Sequence, residues 1–166
     1  MKEVFDKLSS YNIFNYLLPG VLFVIISKHF TPYDFIQEDN LIGGFLYYFI
    51  GMVISRFGSL IVEPILKWIS FLKFVDYNDY VQASKKDTKI ELFSEVNNTY
   101  RTVLSLFVVL LLLRLYSIAE IKYDISTSVT LVILIGLILL MFLFSYRKQT
   151  NYLVKRVNTN KNSDVA

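Results

Sequence analysis

The 166-residue chain has no cysteine and one histidine, His29. The first absence excludes disulfides, a thiolate nucleophile and a cysteine zinc site. The second excludes a histidine metal cluster. Glycine and proline are scarce, six and three residues, and no glycine-rich nucleotide loop is among them, so no cofactor is expected. Charged residues make up 19% of the chain, and long stretches contain none. What fills the sequence instead is apolar, with a hydrophobic fraction of 54% and a mean hydropathy of +0.47. A soluble core of this size leaves much of its surface in water and cannot hide that much apolar area. Lipid must solvate part of it, and the expected class is an all-α integral membrane protein with four transmembrane helices.

A hydrocarbon core of about 30 Å takes about 20 helical residues. Four segments meet or approach that length, at about residues 9–29, 41–62, 102–118 and 125–146. They divide the chain into a first membrane pair (1–62), a polar segment (63–101), a second pair (102–146) and a basic tail (147–166). The fourth span is uncharged up to Tyr146 and is closed by Arg147 and Lys148. The third is apolar apart from Arg114. The first carries Pro19 and Gly20 at its middle, where a lost backbone donor and a flexible residue predict a kink or hinge. The second is uncharged only from Leu41 to Ser55. It either runs on through Arg56 to about Val62, with Glu63 and Pro64 at its end, or gives way to a separate interfacial helix over residues 57–75.

The charges between the spans are sorted by sign. All of the 17 basic residues except Lys28, Arg114 and Lys122 fall in the terminal segments or around the 63–101 segment. The two opposite loops hold Asp34, Glu38, Asp39, Glu120 and Asp124. Retention of Lys and Arg on the inner side gives a topology with both termini in the cytoplasm of a bacterial inner membrane. No cleavable signal peptide is expected. In a membrane chain the same excess of base serves topology and anionic lipid, so nucleic acid is not an expected partner.

The 63–101 segment has two amphipathic halves. Ile65, Trp68, Ile69, Leu72 and Val75 share one face in the first, as in a helix lying at the membrane interface or in a packed extension of span two. Ile90, Phe93, Val96 and Tyr100 share one in the second, on a helix leading into span three. That stripe needs a partner. The tail is expected to fray beyond Val157.

Several residues are candidates for function. Arg114 and Arg56 are intramembrane charges, which are expensive and mark pathways or fixed pairs. Arg114 has Glu120, Asp34 or Glu38 within prospect, or the headgroups by snorkelling; Arg56 has Glu63. Gly44, Gly51, Ser55, Gly58 and Ser59 form a narrow stripe of small residues on span two, the usual route to close helix contact in lipid, within one chain or between chains. Asn12 and Asn15 offer hydrogen bonds across helices. His29 is an interfacial residue with a pH-responsive contact to Asp34 as the alternative.

The pattern of Tyr11, Asn12, Phe14, Asn15, Pro19 and Gly20 resembles the start of small bacterial multi-pass proteins of anti-phage defence type. The layout is similar to the four-span membrane component of the Kiwa defence system. The resemblance implies a role in antiviral defence and transfers no functional residue. Catalytic constellations are absent from the apolar spans, so a non-enzymatic protein is expected. The expected function is an oligomeric membrane sensor or effector, held in the lipid bilayer as a homo-oligomer and binding a soluble cytoplasmic protein. The alternative is a small oligomeric channel or permeability factor.

Overall fold

The computed structural model describes residues 10–163. Lys2 and Lys7, assigned to the basic side, lie outside the described residues, as do residues 164–166. Helix α1 begins at Ser10–Asn12, passes through one π turn at Ile13–Leu17 and continues as Leu18–Phe30. Helix α2 is Asn40–Trp68, with a second π turn at Gly58–Val62. A short helix α3 (Tyr77–Lys86) precedes two long ones, α4 (Lys89–Tyr123) and α5 (Thr127–Ser163). No strand occurs among the described residues, and four of the helices, all but α3, are long and apolar enough to cross a membrane. The protein is an all-α, multi-pass membrane protein.

Helices α1, α2 and α4 form the packed part of the bundle. Phe23 and Val24 of α1, Ile54 of α2, and Leu106 and Leu110 of α4 make the buried apolar cluster. Helix α5 stands against the outside of this trio, and no residue of its most apolar stretch is buried. The loop at residues 31–39 and the α4–α5 turn meet at one end, where the Tyr33 hydroxyl donates to Glu120. The other end carries Arg56, Glu63, Arg101 and Lys148, and is called the basic end below.

Both π turns stand one residue before a proline: Leu17 ends the first and Leu18 precedes Pro19, while Val62 ends the second and Glu63 precedes Pro64. Proline lacks an N–H and its ring crowds the carbonyl four residues back. The wider turn relieves that crowding, with Leu18 N–H donating to Ile13 C=O and Glu63 N–H to Gly58 C=O. The chain stays helical through Pro19, Gly20 and Pro64. The inserted residue in each turn also rotates the helix face, which brings Asn15 and Ser59 into the interior.

Helix α2 runs on without a break to Trp68, so the alternative of a separate helix over 57–75 is not what forms. Its end is a Schellman turn built on serine. Ser70 adopts a left-handed φ of 60°, Phe71 N–H donates to Leu66 C=O at 2.9 Å, and Ser70 N–H donates to Lys67 C=O at 2.9 Å. Leu72 and Val75 therefore leave the helical face expected for them with Ile65, Trp68 and Ile69. The chain after the turn folds back until Phe74 lies under Lys67, its ring centroid 4.0 Å from the ammonium. Helix α5 does not fray at Val157 but continues to Ser163, steadied by α3: Thr159 Oγ1 lies 2.6 Å from Asn78 Oδ1, and Tyr77 packs on Tyr152.

Candidate functional site at the basic end

The small residues of α2 are divided among three neighbours. A Cβ on Gly51 would stand 1.8 Å from Tyr16 C=O of α1, and one on Gly20 would stand 1.7 Å from Tyr47 C=O of α2. The two backbones are in direct contact there, so Pro19 and Gly20 lie buried in a clamped crossing. Gly58 faces α4, where an added Cβ would be 2.3 Å from Ser105 Oγ. Ser59 faces α5. Gly44 has open space where a Cβ would go and does not belong with the others; its neighbour Gly43 is the buried residue.

Between these contacts lies a buried polar node. Asn15, Ser55 and Thr102 are fully buried, one from each helix of the trio. Thr102 Oγ1 is 2.8 Å from Asn15 Oδ1, 2.9 Å from Asn98 C=O and 3.2 Å from Ser55 Oγ, and Asn15 Nδ2 donates to Ser55 Oγ at 3.4 Å. Such groups are costly in an apolar interior unless paired, and here they fix the rotation of three helices about one point.

One turn further toward the basic end, the contacts become ionic. Glu63 is buried and accepts from Arg101 Nη1 at 2.6 Å and Lys67 Nζ at 2.9 Å. Arg56, for which Glu63 was the expected partner, instead donates to the Tyr16 hydroxyl at 3.2 Å. Glu63 lies seven residues on, and the π turn has altered the face it would share with Arg56. Lys148 of α5 donates to Ser59 C=O at 2.7 Å and Ser59 Oγ at 2.8 Å. The Ser59 carbonyl is free to accept because of the π turn and the proline together. Its ordinary donor, Glu63 N–H, is bound to Gly58 C=O, and the next residue along, Pro64, has no N–H.

The other candidates lie away from this cluster. Arg114 is exposed and forms no ion pair among the described residues. Two of its three prospective partners are engaged elsewhere: Glu120 with Tyr33 and with Thr130 Oγ1 at 2.7 Å, Asp34 with Lys28 Nζ at 3.1 Å. Asp34 also accepts from Ile36 N–H, and these two contacts, the backbone bond foremost, hold its carboxyl below its ordinary value. Partial burial and the bond to Glu120 push the Tyr33 phenol up. His29 is exposed, and Asp34 is paired with Lys28 in its place.

No group of three or more His, Cys, Asp or Glu side chains that would hold a metal ion occurs among the described residues. Thr102, Ser105 and Lys148 were not singled out from sequence. A Ser and a Thr in an otherwise apolar run three residues apart were the available signal for the first two. No family model, curated protein or solved structure matches the chain.

Proposed function

We propose that the protein is a non-enzymatic, oligomeric sensor or effector of the bacterial inner membrane, with both termini in the cytoplasm and a soluble protein docked at the basic end. The observation that carries this reading is the stripe on the first turns of α4. Phe93 and Tyr100 are 66% and 71% exposed, and Val96 43%. They precede the apolar span, on a 35-residue helix whose length of about 52 Å exceeds the roughly 30 Å hydrocarbon core. Apolar side chains outside lipid need a protein cover. The small residues of α2 no longer supply that argument, since Gly51, Ser55, Gly58 and Ser59 are occupied within the chain. The resemblance of the residue 11–20 pattern to anti-phage proteins supplies the setting.

The absence of cysteine allows a direct test. An F93C variant is oxidised in cells and its products are separated without reductant. A band at twice the chain mass supports association between copies through α4, and a discrete heavier band containing a second soluble protein supports the docked partner. Chains that stay uncrosslinked, and that are monomeric in mild detergent, overturn the proposal.

A further inference from the structure

We infer that the groove between α2 and α5 is a binding site for one anionic phospholipid, held by its phosphate at Arg147 and Lys148. The groove has a volume of about 570 Å³. Leu60 and Ile61 of α2 form one wall, and Leu137, Met141 and Phe144 of α5 form the other. Arg147, Lys148 and Asn151 line it at the basic end. A smaller hollow of about 380 Å³ on α5 shares Phe144, Arg147 and Asn151 with it and runs on past the cations to Thr150.

Three observations select this occupant. The first is depth. From Leu137 to Lys148 is eleven residues, a rise of about 16 Å on a helix, which is close to half of a hydrocarbon core of about 30 Å. The α5 wall is therefore apolar over one leaflet, and the cations stand where its headgroups lie. The second is charge. Glu63 is taken up by Lys67 and Arg101, and neither Arg147 nor Lys148 has a carboxylate within ion-pair distance among the described residues. The third is aim. An ammonium has three protons, and Ser59 takes two of those on Lys148. The side chain is held at the groove mouth, and its third proton has the Tyr152 ring, centroid 5.9 Å away, rather than an oxygen acceptor among the described residues. A free phosphate would satisfy the cations but leave the apolar walls bare, whereas a phospholipid satisfies both.

The test is native mass spectrometry of the full chain, released from detergent containing equal amounts of phosphatidylglycerol and phosphatidylcholine. The wild type is expected to retain one phosphatidylglycerol per chain in preference to phosphatidylcholine. Replacing both cations, R147Q/K148Q, is expected to lower that preference by about fivefold for each charge lost. Because Lys148 also holds α5 to Ser59, a second variant, M141W, fills the groove while leaving the cations in place, and it is expected to lose the retained lipid with unchanged helical circular dichroism. Equal retention of the two lipids by the wild type overturns the inference. So does retention unaffected by M141W, or displacement of the lipid by millimolar inorganic phosphate, which would mark a free-anion site. Dimers that carry no lipid would assign the groove to a second copy and overturn it equally.

Discussion

Gly51 and Gly44 lie on the same helix seven residues apart and have opposite surroundings. A methyl group at Gly51 collides with the backbone of α1, which cannot rotate away as a side chain would. G51A is therefore expected to destabilise the fold by about 1–3 kcal/mol, the usual cost of overpacking, while G44A and G136A, both with open space, stay within about 0.5 kcal/mol or gain from alanine's helix preference. Unfolding in mixed micelles of rising SDS fraction measures all three. The spacing of small residues was legible in the sequence because helical periodicity is regular. Which neighbour each one meets was not, since that depends on the rotation of three other helices. Asp34 gives a second prediction at this scale. Its folded value lies below the unfolded one, so its contribution is complete above the unfolded carboxylate value of about 4 and is lost as pH falls through the folded value. The protection factor of the Ile36 amide, its exchange rate set against the intrinsic rate at the same pH, is expected to fall on acidification in the wild type and to be low at every pH in D34A.

At the scale of the helix, the informative units are the two π turns that precede Pro19 and Pro64. The sequence predicts a disturbance at proline but not its form, because a kink and a π turn answer the same missing donor. The consequences differ. A kink redirects the axis, whereas the π turn keeps the chain helical and changes which side chains face inward. P64A restores a donor, which lets ordinary pairing return over residues 58–62 and turns Ser59 away from Lys148. Removing the Lys148 charge by K148M costs on the order of 1.5–3 kcal/mol, as for a hydrogen bond to a charged group. If the π turn is what presents Ser59, P64A and K148M act through one contact, and the double variant is expected to lose little more than the worse single one. A double-mutant cycle in the same SDS titration measures this. The end of α2 was hidden for a related reason. A Schellman turn is usually announced by glycine, and here Ser70 occupies the left-handed position.

For the whole molecule, the count of four spans was legible because hydrophobic length is a direct reading of bilayer thickness. The loose attachment of α5 was not, since an apolar span suits lipid and helix contact alike and its sequence does not separate the two. It is joined to the others by a few contacts along its length: Thr130 with Glu120 and Tyr116, Phe142 stacked on Phe49 at 6.1 Å, and Lys148 with Ser59. The sorted charges yield a topological prediction. Trypsin is expected to cut the exposed Lys85, Lys86 and Lys89 in inverted membrane vesicles and to spare them in intact spheroplasts, as read by fragment mass. The helical continuation of α5 beyond Tyr146 adds 17 residues, an extension of about 25 Å. The Debye length at physiological salt is about 8 Å. Lys155 and Arg156 therefore stand about 14–15 Å along the helix axis from Tyr146, more than one screening length from the residue that ends the span. Both residues are carried on a helix that projects from the bundle, so a contact that an acidic partner makes there is expected to weaken with added salt.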